Sequence, residues 1–362
     1  MTEPCFQIDA RLPGLLGIDF PRMEIKRLDD SAKERWDSFV EAQPEATFFH
    51  RSGWREVIEK ALGHTAYFIY AEHNGKILGV LPLGHVKSLL FGNALVSTPF
   101  CVYGGIVAAN EQARAALDAY ACDLARDLRD DHLELRNIVR GITGRPVKEL
   151  YVTFRKSLDP DPERNLLEIP RKQRAMVRKG ISAGLTSVVD DGINRFYDAY
   201  AESVRNLGTP VFGRKLFKVL RDVFGQDCEI LSIEHKGRVV SSVMSFYFRD
   251  EVLPYYGGGI AEARDLYAND FMYWEVMRRA VGRGVRVCDY GRSKVGTGSF
   301  RFKTHWGFEP TPLHYEYELI GTDHMPDINP LNPKYQLFIA AWKQLPLPVS
   351  KIVGPFLARN LG

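Results

Sequence analysis

A repeat is the feature that most constrains this chain. The segment FIYAEHNGKILGVLPLGHV (68–86) reads as two strands joined at Asn74-Gly75, and ILSIEHKGRVVSSVMSFYF (230–248) repeats the scheme around Lys236-Gly237. A two-residue link ending in Gly between apolar runs marks a tight hairpin, because both positions take positive φ there. The elements after each hairpin recur in the same order. VYGGIVA (102–108) answers YYGGGIA (255–261), a helical stretch comes next (Glu111 to Arg129; Asn269 to Gly282), and then a strand (HLELRN, 132–137; VRVCDYGRS, 285–293). One such match arises by chance; four in the same order predict one α/β (α+β) fold encoded twice.

The later helix shows how the elements are read. Tyr273, Val276, Met277, Ala280 and Val281 recur at three- and four-residue spacing and form a core-facing stripe, with Asn269 as its expected N-cap and Gly282 and Gly284 as stops. The 362 residues suit two hydrophobic cores better than one. The turn-rich run Ser157-Leu158-Asp159-Pro160-Asp161-Pro162 separates an expected first domain, 23–158, from a second, 163–320. The tail, 321–362, is Pro-rich, holds no acidic residue beyond Asp327, and reads as two helical pieces, Asn332 to Lys343 and Val349 to Asn360. Its Lys334, Lys343, Lys351 and Arg359 accompany Leu337, Phe338, Trp342, Ile352, Phe356 and Leu357. Such a segment either packs back on the first domain, which is the expectation, or lies on an anionic membrane surface.

Several classes drop out. The net charge of +3 is too small for bulk nucleic-acid binding, so any basic patch is local. Cys5, Cys101, Cys122, Cys228 and Cys288 form no C-x-x-C pair and read as buried thiols, and the histidines lack metal-ligand spacing, so no metal site is expected. The apolar stretch from Leu12 to Ile18 is short and broken by Pro13, Gly14 and Gly17, unlike a secretory leader; the expected location is the cytoplasm. G-x-S-x-G, the Walker loop and the dinucleotide fingerprint are all absent.

Three regions carry candidate chemistry. Tyr255-Tyr256-Gly257-Gly258-Gly259 ends a strand, where consecutive glycines mark either a bulge or turn, or a splayed strand whose free N–H groups meet an acyl carrier. Asp289-Tyr290-Gly291-Arg292-Ser293-Lys294 and the adjoining run to Lys303 form a glycine-rich basic loop leaving a sheet, able to hold phosphate or simply solvated. Pro170 to Lys179 places Arg171, Arg174 and Arg178 along one side of a helix, an anion site or a solvated face. The loop Asn206-Leu207-Gly208-Thr209-Pro210-Val211-Phe212 lies between helical segments.

The segments IPRKQRAMVRKGI (169–181), NLGTPVF (206–212), VMSFYFRDEVLPYYGGG (243–259), the helix start at 268–275 and CDYGRSKVGTGSFRFKTHWGFEP (288–310) together resemble the Fem-type branch of the GNAT superfamily. Within that branch they resemble the subgroup associated with exosortase/PEP-CTERM exopolysaccharide systems. The resemblance implies tandem GNAT-like domains, with mixed, mainly antiparallel sheets flanked by helices and a C-terminal helical tail. It implies an acyltransferase with no tightly bound cofactor. The co-substrate would be acyl-CoA or aminoacyl-tRNA, and the amine acceptor a small-molecule, lipid-linked glycan or peptide precursor of the peptidoglycan or exopolysaccharide kind. Lys303, in a Phe-Lys pair bordering the reaction centre, is expected to stabilise the oxyanion, with Tyr256 and Asp289 as candidates for the base. Donor contacts are expected from Gly257, Gly258, Gly259, Asn269, Arg292, Ser293, Lys294 and Phe302, and acceptor contacts from Arg171, Arg174, Arg178, Thr209 and Phe212. One departure stands out: Ala261 to Asp270 contains no glycine, unlike the pyrophosphate loop of ordinary GNAT enzymes. The competing reading is a non-catalytic module that binds an anionic glycan, a lipid-linked precursor or RNA.

Overall fold

The computed structural model describes residues 23–88, 92–141, 144–326 and 333–360; Cys5, the 12–18 stretch and Asp327 lie outside them. Both hairpins form as expected. Ile69–His73 turns into Lys76–Leu81 with φ of 48° at Asn74 and 77° at Gly75. Cys228–His235 turns into Arg238–Phe248 with 49° at Lys236 and 77° at Gly237. These paired positive φ values match the right-handed twist of the strands they join. In each half a long helix (Glu111–Asp127; Ala268–Gly282) then crosses the sheet and delivers the chain to a parallel strand. Gly92–Ser97 runs parallel to His132–Asn137, and Glu251–Gly259 parallel to Val287–Asp289. Among the described strands all other pairings are antiparallel.

The sheets do not follow the boundaries read from the sequence. Tyr151–Ser157, which precedes the expected second domain, pairs with Val287–Asp289 and Ser293–Lys294 inside the later sheet. His314–Leu319, at the end of that domain, returns to pair with His132–Asn137 of the earlier one. Each half thus completes its sheet with a strand from the other side of the linker. A shared aromatic core reinforces the exchange: Phe48 stacks on Phe246 with centroids 4.5 Å apart and meets Phe224 at 4.6 Å. Burying such rings across the junction removes apolar surface from water in both halves at once.

Three further expectations are corrected. VRVCDYGRS is not one strand: Val287–Asp289 breaks at Gly291, whose φ is 63°, and resumes as Ser293–Lys294. Asn269 is not an N-cap; Tyr267 holds that place with φ 56°, and Asn269 lies within the first turn. The tail helices, Pro333–Lys343 and Leu347–Ala358, seat mainly on the second half instead of the first. Gly208 abuts Ile339, Gly354 abuts Val211, and Lys351 pairs with Asp198 at 2.8 Å. One bond reaches the first half, between His64 Nε2 and the Arg359 carbonyl at 2.6 Å. Gly208, with φ 82°, has no Cβ to collide with Ile339, which is why the tail can approach this closely. Cys101, Cys122, Cys228 and Cys288 are free and buried, and burial pushes the thiols up, to about 11 for Cys122 and about 12 for Cys228.

Candidate active site

Strand Glu251–Gly259 pairs along its length with Arg238–Phe248, and the register slips once. Met244 faces Tyr256 and Ser245 faces Pro254, so Tyr255 is the extra residue of a β-bulge. On its other edge the strand meets Val287–Asp289 only at Glu251 and Val252. Beyond that point the partner leans away towards Tyr151–Ser157: Asp289 faces Arg155, and Tyr290 N–H donates to the Phe154 carbonyl at 2.8 Å. The parallel strands therefore part at the bulge, and Leu253–Gly259 keeps one edge without a strand neighbour. The first copy closes the matching place. There the Gly104 and Gly105 N–H groups both donate to the Arg136 carbonyl, and a Cβ on Gly105 would collide with Asn137.

Lys303 holds the turn that follows Asp289. It lies near the end of helix Gly298–His305, whose start is capped by the Thr297 hydroxyl accepting from Phe300 N–H at 3.4 Å. Its Nζ donates to the Gly291 and Arg292 carbonyls, at 3.0 Å each. Burial pushes the ammonium down to about 8, against the pull of Asp289, which favours the charged form. Two of its three N–H donors are taken by backbone. Nothing lies within 4 Å of where a Cβ would stand on Gly291, so the buried turn beside Lys303 leaves room at that point. Arg292 lies over Tyr151 at 4.5 Å and donates to Tyr315 Oη at 3.1 Å; no carboxylate pairs with it among the described residues. A half-buried guanidinium without a carboxylate partner is suited to an anionic group.

Asp289 holds the site together and is poorly placed to act as a base. It is 1% exposed, and its oxygens accept from Gly291 N–H (2.7 Å) and Tyr103 Oη (3.0 Å) and lie 3.6 Å from Arg155 Nε. The Tyr103 hydroxyl also bonds Thr153. Burial raises the Asp289 pKa, with Arg155 opposing, but its acceptor sites are already engaged. Asp289 thus anchors the Gly291 turn to Tyr103. Tyr256 is enclosed, and burial pushes its phenol well above the usual range. Its ring is walled by Tyr255, Phe217 and Phe212, with centroids at 4.7, 5.2 and 6.1 Å.

The expected donor glycines have packing reasons of their own. A Cβ on Gly258 would collide with Ser203 of helix Asn194–Leu207, and one on Gly259 would come within 2.5 Å of Ala263 and 2.9 Å of Asn269 Oδ1. Asn269 Oδ1 is buried without a hydrogen-bond partner, as are Ser293 Oγ and Tyr290 Oη. Phe302 packs against Tyr273 at 5.6 Å and belongs to the adjoining core, whereas Lys294 lies 5.6 Å from the Tyr151 ring. The acceptor set is divided. Phe212 reaches the aromatic wall, meeting Phe100 and Tyr256, but Thr209 is exposed. Helix Arg171–Ser182 packs elsewhere, against the start of Ala268–Gly282. Gln173 bonds Asp270, Lys179 Nζ donates to Tyr267 Oη at 3.3 Å, and a Cβ on Gly180 would stand 2.8 Å from Phe271. Arg171 and Arg178 point to solvent, and Arg174 donates to the Leu167 carbonyl at 2.6 Å.

Sequence reasoning missed Tyr103, Thr153 and Phe100, whose carbonyl accepts from Tyr255 Oη at 3.2 Å. The repeat offered one signal, since Tyr103 stands in VYGG where Tyr256 stands in YYGG. Thr153 and Phe100 left no trace of this kind, because they arrive through the strand exchange and through contact between halves.

Residues 168–304 match the family model described as an acetyltransferase (GNAT) domain, a span that includes the bulged strand, the long helix and Lys303. No curated protein matches the chain. Among solved structures, FemX superposes with a TM-score of 0.66 at 15% identity, covering 87% of this chain and all of that one. A tandem GNAT protein from the clavulanic acid biosynthesis pathway gives 0.53 at 14%, covering 83% and 100%. The C-terminal domain of a putative lysylphosphatidylglycerol synthetase from Agrobacterium fabrum gives 0.54 at 12%, covering 79% and 91%. At these identities the likeness is one of fold. That fold is two tandem GNAT-like domains followed by a helical tail, with the second domain matching the acetyltransferase model in sequence as well.

Proposed function

We propose that the chain is an N-acyltransferase whose reaction takes place where the second sheet parts. The observation that carries this reading is the bulge at Tyr255 on a strand that Val287–Asp289 leaves beyond Val252, with Lys303 buried at the Gly291–Arg292 turn that follows Asp289. An acyl carbonyl lying against that edge would receive N–H donors from the strand and positive charge from Lys303. The acceptor amine attacks the carbonyl carbon and a C–N bond forms. The negative charge gathers on oxygen, and the C–S or C–O bond to the carrier then breaks. The proton lost by the amine is passed to the departing carrier or to solvent. Fixed donors aimed at the developing oxyanion act where water is excluded and need no reorganisation.

The donor reading favours a carrier that does not rely on the usual pyrophosphate loop. Helix Arg171–Ser182 crowds the start of Ala268–Gly282, and no glycine stands in 261–270. Acyl-CoA and aminoacyl-tRNA are both donors of the required chemistry, and Arg292 is available to either. An envelope or exopolysaccharide precursor amine on the cytoplasmic side, as in exosortase-associated systems, is the proposed acceptor; Phe212 and the aromatic wall would receive it. The test is a donor screen of acyl-CoAs and charged tRNAs with amine acceptors, read by mass spectrometry. Lys303→Ala is expected to lower turnover about 100- to 1000-fold; near-normal turnover on the true substrate would remove Lys303 from the mechanism.

A further inference from the structure

The tail presents apolar side chains outwards. Of the fourteen exposed large hydrophobic residues among those described, six lie in its two helices, and Leu207, at the end of the helix that precedes Gly208, makes a seventh. Leu337 is 77% exposed, Ile352 68% and Phe356 63%, and Phe338, Val349 and Val353 accompany them. Helix Leu347–Ala358 is already seated by its other face, through Ser350, Gly354 and Ala358, so the outward residues are not an unsatisfied core. An apolar face of this extent on a folded protein marks an interaction surface.

The charges around it are of one sign. From 328 to the end the sequence has Lys334, Lys343, Lys351 and Arg359 and no Asp or Glu. The seat adds Arg205, which donates to the Lys343 carbonyl at 3.3 Å, and Arg214, which shares Asp198 with Lys351. Lys215 and Lys218 stand exposed on the helix that begins beside Pro355. Asp198, an acid at the contact, is met by two cations. The exposed apolar residues lie on both helices, away from the buried Ser350, Gly354 and Ala358 of the second. Exposed aliphatic and aromatic side chains, flanked by cations, fit the interfacial zone of an anionic bilayer.

We propose that the tail is a docking surface for an anionic lipid membrane, with Leu337, Phe338, Ile352 and Phe356 entering the headgroup boundary and the flanking cations meeting lipid phosphates. Among the described residues no helix is long and apolar enough to cross a membrane, so the contact is peripheral. Resting on the transferase reading, the same geometry points to an acceptor held in the membrane. The loop that seats the tail through Gly208 and Val211 also carries Phe212 to the wall around Tyr256.

The test is sedimentation of the full chain with phosphatidylcholine vesicles, alone or with about a third phosphatidylglycerol. The protein should pellet with the anionic vesicles and stay in solution with the neutral ones, and added salt should weaken the binding. The double substitution Ile352→Asp/Phe356→Asp should reduce partitioning about tenfold or more without changing the melting temperature, because both residues face solvent; Leu337→Asp/Phe338→Asp is a second, independent variant. Failure to pellet with anionic vesicles overturns the proposal, as does equal pelleting of both double variants. Dimerisation of the full chain in solution that these substitutions abolish also overturns it, since the face is then a contact between copies. No acyl transfer is read in this experiment, so its outcome is separable from that of the donor screen.

Discussion

At the residue scale, Lys303 ties activity and stability to pH with opposite signs. Its ammonium is lowered from the ordinary 10.5 to about 8 by burial. Catalysis that needs the cation should therefore fall as pH rises through about 8. Between about 8 and 10.5 the unfolded chain holds a proton that the folded chain lacks, so this residue's contribution to stability rises over that window. In Lys303→Arg, whose guanidinium does not titrate, the alkaline limb of the rate profile should flatten even where the rate itself is lower. A limb that stays at the same pH would belong to another group. Asp289→Asn provides the complementary measurement. An anchor that accepts from Gly291 and Tyr103 keeps most of its bonds as an amide, so turnover should fall no more than about tenfold, whereas loss of a base removes about 100- to 10,000-fold. The same change takes a negative charge away from Lys303 and should move the alkaline limb to lower pH.

Elements account for what the sequence could and could not announce. The hairpins at Asn74-Gly75 and Lys236-Gly237 and the two long helices were legible because turn chemistry and apolar spacing are local properties. The end of the strand at Asp289 was not, because the break at Gly291 depends on Arg155 and Phe154 drawing that segment aside from another part of the chain. The glycines of 257–259 were legible as a special place, but with the wrong emphasis: Ser203 and Asn269 exclude side chains there whether or not a ligand is present. Gly258→Ala should cost about 1–3 kcal/mol in chemical denaturation through this crowding. Adding Ser203→Gly should recover part of the loss, as expected for two residues in direct contact. Lys303 was found through family resemblance; its lowered pKa and its two carbonyl partners needed the fold.

For the molecule as a whole, the strand exchange makes the halves one folding unit. The four-stranded sheet lies wholly within the first half, but its six-stranded sheet and the eight-stranded sheet of the second half are each incomplete alone, since His314–Leu319 and Tyr151–Ser157 are claimed by the opposite half. The full chain should melt in a single transition with equal calorimetric and van't Hoff enthalpies. Each half expressed alone should be insoluble or unfolded, with soluble protein recovered when the two are produced together. Two resolved transitions, or an independently folded second half, would contradict this.

The exchange also bears on how the protein is made and why its first copy persists. A ribosome working from the N-terminus releases His132–Asn137 long before His314–Leu319, so one edge of the earlier sheet must wait, bare, for about half of synthesis. The earlier copy is shut at Gly105, yet it lends Tyr103 to Asp289 and takes back a strand. Losing that copy would dismantle the later one.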